Sequence, residues 1–145
     1  ANSQDHAGDP TRESRMLAAV LGKDMDERGL YRIGERIFNL QRAIMIRDGH
    51  RAKEDDTIPD VWFSTPLKRD AVNPDCLVPG RDGQPLSRSG SVVDRTEFDR
   101  TRAEYYQLRQ WDAATGLQTG DLLRDLHLND VAEELSRRGL LKDHT

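Results

Sequence analysis

The sequence is poor in cysteine and in long apolar runs. Cys76 is the single cysteine among 145 residues, which excludes a disulfide framework and any metal site that needs a cysteine pair from this chain. The longest apolar runs, such as residues 16–21, are far shorter than the ~20 residues of a membrane span, so we expect no span. The start lacks an initiator methionine and a secretory signal. We therefore expect a trimmed chain that works in the cytoplasm.

Apolar side chains are also scarce for the length of the chain. They make up 35% of the residues, whereas 33% are charged, and 22 basic and 26 acidic residues leave a net charge of −4. Ordinary globular domains contain roughly 45–50% apolar residues. Either much of the chain is loop, or its core is completed by protein that lies outside it.

Hydrophobic spacing predicts an all-α fold, an irregular multi-helix domain with a long central loop. We expect a single domain over residues 1–145, with a frayed terminus at 1–8. Residues 50–93 are rich in turn-forming residues, and a loop of that length is unusual in a compact domain, so we expect it to wrap over a surface. The predicted helices cover residues 10–21, ended by Gly22, then roughly twenty residues after Asp24, ended by Gly49, and then residues 94–110, 119–126 and 130–138.

Capping side chains are expected for four of the five predicted helices, and apolar positions are expected in the first four, with Leu122, Leu123 and Leu126 in the fourth. The second and third helices begin with capping boxes, in which an acidic residue is followed three positions later by glutamate. The expected capping side chains are Asp9, Asp24, Asp94 and Asp130. The positions expected in the core are Met16, Leu17 and Val20 of the first helix, Leu30, Ile33, Ile37, Leu40 and Ile44 of the second, and Phe98, Tyr105 and Leu108 of the third.

The other side of the second helix carries Arg28, Arg32 and Arg36 at intervals of four. Such a row can follow the phosphates of a nucleic acid, but the net negative charge and the acidic start of the same helix oppose a polyanion. Guanidinium groups pair well with carboxylates. We therefore expect these arginines to meet carboxylates of a missing portion or of a neighbouring subunit, and we expect no nucleic-acid partner.

No residue is assigned to catalysis, to cofactor binding or to a metal. Cys76 lacks a nearby cation or helix start that would stabilise a thiolate, so we expect a small buried residue. The carboxylates of residues 54–56 are expected to form a solvated turn that faces Arg51 or Lys53. None of the histidines lies at metal-ligand spacing from another ligand, and His127 is expected to contact the last carbonyls of a short helix. The histidines are His6, His50, His127 and His144.

Several separated segments resemble the tungsten-containing aldehyde:ferredoxin oxidoreductase family. Residues 29–42 (GLYRIGERIFNLQR) resemble its Gly-Glu-Arg-Ile-x-Asn-Leu-x-Arg helix, and residues 47–49 and 55–59 (DDTIP) resemble the segments that follow. Residues 104–112 (EYYQLRQWD) resemble its Glu-Tyr-Tyr-x-Leu-Arg-Gly-Trp-Asp motif, with Gln110 where the family usually has glycine. Further similarity lies at residues 93–94 and 131–135.

The resemblance implies a position in a larger enzyme. The chain is similar to the C-terminal part of the family's last helical domain. The resemblance implies that the parent enzyme holds tungsten, or molybdenum, with a bis-pterin cofactor and a [4Fe–4S] cluster. The residues that bind these groups would lie upstream of this chain. Cys76 matches none of the four cluster cysteines, so no cofactor ligand is carried over and none is expected from this chain alone. The central loop is most similar to the branch that contains the tungsten subunit of ATP-independent benzoyl-CoA reductases.

The functional expectation follows from that position. The parent enzyme would oxidise an aldehyde by two electrons with water as the oxygen source, or carry out the reductive counterpart, and would pass electrons to a ferredoxin-like carrier. This domain would scaffold the cofactor and the substrate cavity, would contact the remaining domains and would be inactive alone. The enzyme could also form a homo-oligomer. The alternative is a stand-alone helical protein-interaction module.

Overall fold

The computed structural model describes residues 8–69 and 71–142. Six α-helices and one two-stranded antiparallel sheet are found in this part of the chain, so the expected all-α class is confirmed. The helices are α1 (Arg12–Leu21), α2 (Glu27–Arg47), α3 (Val61–Ser64), α4 (Arg95–Leu108), α5 (Gly120–Asp125) and α6 (Asn129–Arg137). The strands are β1 (Leu77–Pro79) and β2 (Pro85–Ser87), and a 3-10 turn covers Ala52–Glu54. None of these helices is long and apolar enough to cross a bilayer.

The described residues form two compact units. The terminal unit contains residues 8–50, 110–112 and 117–142, and the central unit contains residues 51–69, 71–109 and 113–116. The expected central loop is therefore more structured than its composition predicts, because it contains α3 and the β1–β2 hairpin, in which Val78 pairs with Leu86.

The core of the terminal unit is leucine-rich and comes mostly from its C-terminal half. Helix α6 packs on both α5 and α2. Burying one leucine side chain fully contributes about 1.5–3 kcal/mol, so this small cluster is the main apolar source of stability in the unit. Its buried apolar residues are Ala43, Ile46, Trp111, Leu122, Leu123, Leu126, Leu128, Ala132, Leu135 and Leu141.

The predicted buried faces of α1 and α2 are wrong at five of eight positions, and the other three, Leu17, Leu30 and Leu40, are half-buried. Met16 and Val20 of α1 are exposed, and the buried residue of that helix is Ser14. In α2 the side that packs inward carries Asn39, Arg42, Ala43 and Ile46. The reason is that polar side chains of α2 hold a tryptophan and a glutamine of the same unit, which turns the leucine and isoleucine stripe outward. The stripe residues Ile33, Ile37 and Ile44 are 40%, 53% and 42% exposed.

The helix starts follow local capping rules with shifts of a few residues. Helix α2 is capped by Asp26, whose carboxylate accepts from the Gly29 N–H at 2.7 Å, and not by Asp24. Asp94 caps α4 as predicted, with 2.8 Å to the Glu97 N–H. Helix α1 begins at Arg12 after Thr11 and has no side-chain cap, so the prediction that Asp9 caps it is wrong. Asp9 instead accepts from both the N–H and the hydroxyl of Thr11, and these hydrogen bonds lower the pKa of its carboxyl. Helix α6 begins at Asn129 without a side-chain cap, so the prediction that Asp130 caps it is wrong.

The central unit is built on α4 and the segments that cover it. Tyr106 is its buried aromatic residue, whereas the predicted face residues Tyr105 and Leu108 are exposed. Phe63 of α3 meets Phe98 edge to face, with ring centroids 5.4 Å apart. Residues 91–93 run beside α3 and the segment that follows it, since the Leu67 N–H donates to the Ser91 carbonyl and the Val93 N–H donates to the Trp62 carbonyl.

Candidate functional site

Residues of the family-like motifs meet in two polar clusters, one in each unit. In the terminal unit Asn39 is fully buried, and its Oδ1 accepts from Nε1 of Trp111 at 2.9 Å and from Nε2 of Gln118 at 2.7 Å. The Gln118 amide also donates to the Asn39 backbone carbonyl at 3.0 Å. We call these three residues the Asn39 network. It ties α2 to residues 110–112 and 117–118 of the same unit, where Trp111 and Gln118 form an antiparallel bridge.

Aromatic and cationic groups surround the Asn39 network. The Arg42 guanidinium lies 4.5 Å from the centroid of the Trp111 ring, and Phe38 stacks parallel to that ring at 5.9 Å. Arg42 also lies 3.2 Å from Nε2 of His50. Arginine can only donate, so Nε2 of His50 is the acceptor in this contact. Because each of these groups is engaged inside the unit, the cluster holds the fold together.

Gln118 is the member of this network that the sequence did not indicate. It lies outside every motif and is 1% exposed. Its position is set by backbone pairing across the turn, where the Asp112 N–H donates to Leu117 at 2.8 Å. A polar residue at the end of a turn is usually solvated, so its type alone gave no signal of burial.

The second cluster lies in the central unit and joins the Asp-Asp motif to the Tyr-Tyr motif. The Tyr106 hydroxyl donates to the Asp56 carboxylate at 2.5 Å. Arg102 donates to the backbone carbonyls of Lys53 and Asp56 at 3.1 and 2.9 Å, and it also pairs with Asp99. These contacts fix the 3-10 turn and the residues after it against α4.

A glycine completes the central cluster. Gly116 has φ +73, which is left-handed, and a Cβ there would lie 3.0 Å from the backbone nitrogen of Lys53 and from the Tyr106 ring. Only glycine combines that backbone conformation with so close an approach.

Two residues of the arginine row cap the end of α5. Arg32 pairs with the Asp125 carboxylate at 2.7 Å and also donates to the Asp125 carbonyl, and Nε of Arg36 donates to Leu126 at 3.1 Å. The hydrogen bond from Arg32 lowers the pKa of Asp125. Cations favour the negative end of a helix dipole. The expectation that Arg32 meets a carboxylate of a missing portion or a neighbouring subunit is therefore wrong, because its partner is Asp125 of this chain. Arg28 is exposed.

The remaining candidates occupy separate places. Cys76 is buried, as expected, although it adopts a left-handed φ of +52. The expected solvated turn is confirmed in part, since Arg51 pairs with Glu54 and Asp55 at 3.1 and 2.5 Å. The backbone N–H of His127 donates to the end of α5. His6 and His144 lie outside the described residues. Within 8–69 and 71–142, no three His, Cys, Asp or Glu side chains form a group that would hold a metal ion.

Each unit also has a concave surface. In the terminal unit a cavity of about 190 Å³ between α2 and α6 is lined by Leu40, Ala43, Ile44, Arg47, Asp130, Val131, Glu134 and Leu135. In the central unit an open cleft of about 560 Å³ contains Trp62 and Arg88. Neither holds an arrangement of a nucleophile with its base, so the geometry of the described residues assigns no catalytic group.

A comparison with known families extends these observations. The sequence matches the family described as aldehyde ferredoxin oxidoreductase, domains 2 & 3, over residues 2–128. The match includes the Asn39 network and the central cluster and stops before residues 131–135. No solved structure matches the chain. On the extent of the family match, the chain belongs to the aldehyde ferredoxin oxidoreductase family.

Proposed function

We propose that this chain is the C-terminal helical domain of a tungsten- or molybdenum-pterin, iron–sulfur oxidoreductase, and that it scaffolds the cofactor and substrate cavity without catalysing the reaction itself. Membership of the family implies a metal–pterin and an iron–sulfur cluster in the parent enzyme. The proposal adds the choice of metals, the supporting role of this domain, its contacts with the remaining domains and a location in the cytoplasm.

The observation that carries the proposal is that the motif residues bond inside the protein, with Asn39, Trp111 and Tyr106 buried. Asn39, Trp111, Asp56 and Tyr106 are all engaged in hydrogen bonds inside their own units. Residues that bind a substrate usually line a cavity with unsatisfied polar groups aimed into it. Motif residues that instead bond to one another inside a unit support a role in maintaining the structure of the domain.

The donor set of the chain does not fit the iron–sulfur cluster. Such clusters are held by cysteine thiolates, ordinarily four, and the sequence contains only Cys76, which is buried in the central unit. We therefore infer that the cluster ligands belong to the part of the enzyme outside this chain. When complete, the enzyme would convert an aldehyde and water to a carboxylate, three protons and two electrons, and a ferredoxin-like protein would accept those electrons one at a time.

The proposal is tested by comparing this chain with the product of its whole reading frame. The whole product should contain tungsten or molybdenum and about four iron atoms, and it should reduce a one-electron dye when an aldehyde is added. The chain of residues 1–145 should do neither.

Two results would contradict this proposal. One is a metal content near one atom per chain in residues 1–145 alone. The other is a reading frame that encodes no cysteine motif of the form Cys-x-x-Cys-x-x-x-Cys upstream of residue 1, and that outcome would favour a stand-alone interaction module.

A further inference from the structure

Helix α2 carries an exposed apolar stripe with the spacing of a coiled coil. We call Leu30, Ile33, Ile37, Leu40 and Ile44 the α2 seam. Successive members are three, four, three and four residues apart, which is the a/d pattern of two heptads. The three isoleucines are 40–53% exposed, and the two leucines are partly exposed.

The orientation of α2 is fixed by its opposite side, so the seam cannot turn inward. Asn39, which is 0% exposed, is held by Trp111 and Gln118, and Ile46 is also buried. Rotating the helix to bury the seam would break these buried hydrogen bonds, each of which is expensive to leave unmade.

The α2 seam has a definite length, and there is unfilled space beside it. It covers 14 residue steps, or about 21 Å at 1.5 Å per residue. It ends where the next position of the pattern is Arg47, which pairs with Asp48 at 2.9 Å. A Cβ on Gly34, beside the seam, would meet nothing within 4 Å. The cavity of about 190 Å³ between α2 and α6 opens next to Leu40 and Ile44, and it offers space for a side chain of a partner.

We propose that the α2 seam binds one amphipathic helix of about four turns that carries its own a/d stripe and belongs to the part of the oxidoreductase outside this chain. The inference rests on the proposed function and names the surface through which this domain joins the rest of the enzyme. Side chains of that helix would pack between the seam residues in the knobs-into-holes manner, with one of them in the cavity beside Ile44.

The size of the seam decides against a second copy of this chain as the occupant. The seam and its neighbour Met45, which is 49% exposed, amount to six side chains, whereas each partner in a standard stable interface contributes about 20–30 residues and buries ~800 Å². Two heptads are also fewer than the three or four that indicate an independent coiled coil. A helix from the same polypeptide needs neither so large an interface nor so many heptads, because tethering gives it an effective concentration of the order of millimolar.

The test compares Ile37→Glu with Gln41→Glu in two proteins, residues 1–145 alone and the product of the whole reading frame. Both positions are exposed on α2 and glutamate is a good helix former, but only Ile37 belongs to the seam. In the isolated chain both variants should unfold within about 2 °C of the parent. In the whole product Ile37→Glu should lower the unfolding temperature by about 5–10 °C, and Gln41→Glu should leave it unchanged.

Hydrogen exchange gives an independent readout without a substitution. Backbone amides of residues 30–44 should exchange at least tenfold more slowly in the whole product than in the isolated chain. Equal exchange, or an Ile37→Glu effect no larger than that of Gln41→Glu, would overturn the docking proposal even if the whole product contains its metals. Dimerisation of the isolated chain that Ile37→Glu abolishes would assign the seam to a second copy. A missing metal content would instead count against the proposed function.

Discussion

Replacing Asn39 with leucine should destabilise the terminal unit strongly, although the two side chains have the same number of heavy atoms and the same branching. Oδ1 of Asn39 is the acceptor for both Trp111 and Gln118. After the substitution Nε1 of Trp111 would be buried without the acceptor that it has now, whereas the Gln118 amide would keep the Asn39 backbone carbonyl as a partner. The substitution also removes the hydrogen bonds that Nδ2 of Asn39 donates to the carbonyl and the carboxylate of Glu35, at 3.0 and 3.3 Å. The hydrogen bonds to Trp111 and Glu35 are therefore lost in full, and the hydrogen bonding of Gln118 is lost in part.

The expected magnitude follows from the cost of a buried unsatisfied group. Leaving one such donor unpaired costs about 1–3 kcal/mol, and the weakened Gln118 contact adds to it, so we expect a loss of about 2–4 kcal/mol. Natural domains are stable by only about 5–15 kcal/mol. A loss of that size would shift the unfolding temperature by about 5–15 °C in a protein of this length.

The assay is urea unfolding followed by the fluorescence of Trp111. The chain has one other tryptophan, Trp62, which lies in the central unit, and a Trp62→Phe background leaves the signal of the terminal unit alone. Gln41→Leu is the matched control, since Gln41 is exposed on the same helix, and it should change the free energy of unfolding by less than about 0.5 kcal/mol. If Asn39→Leu cost no more than Gln41→Leu, the Asn39 network would not orient α2, and the outward position of the seam would need another cause.

Three further changes test other parts of the structure, all by urea unfolding. Gln110 has φ +57, so Gln110→Gly should stabilise the protein by about 0.5 kcal/mol because the strain of a left-handed backbone is removed. Gln107→Gly, inside α4, should instead destabilise the protein by about 1 kcal/mol. A change of the same sign in both variants would contradict this explanation. Gly116→Ala should cost about 1–3 kcal/mol, because its backbone is left-handed and its space is filled. The hydrogen bond from Arg32 lowers the pKa of the Asp125 carboxyl. The stability that this ion pair contributes is therefore present above the pKa of the unfolded chain and is lost as the pH falls through the lower pKa of the folded protein. Asp125→Asn should flatten the fall in stability below about pH 4, and an unchanged pH profile would refute this assignment.

Local signals in the sequence predicted much of the helical structure. The long helix of about twenty residues, the start of α4 at Asp94 and the helix stop at Gly22 follow from capping and glycine chemistry, which acts between residues close in sequence. Asp26 replaced Asp24 as the cap of α2 because both lie just before the apolar pattern and either carboxylate suits the role. The β1–β2 hairpin was missed because each strand has three residues, too few to show an alternating pattern.

The candidate clusters were only partly predictable. Resemblance picked out the segments that contain Asn39, Trp111, Asp56 and Tyr106, but neither spacing nor composition indicated which of them touch. Asn39 and Gln118 are 79 positions apart, and nothing local marks Gln118 as buried. The glycine that the family usually has in place of Gln110 is the exception, because the left-handed φ of +57 at that position gives a physical reason for glycine.

The wrong prediction for α2 has a physical cause that also explains the seam. The expectation that a leucine and isoleucine stripe faces the core assumes that apolar burial alone sets the rotation of a helix. In the terminal unit the leucines of α5 and α6 already supply an apolar core, and the buried hydrogen bonds of Asn39 determine which side of α2 meets it. A helix held by polar contacts on one side keeps its apolar side available on the other. The shortage of apolar residues in the sequence and the exposure of the seam then have one explanation, which is that part of the apolar surface of this domain is matched by a helix outside the chain.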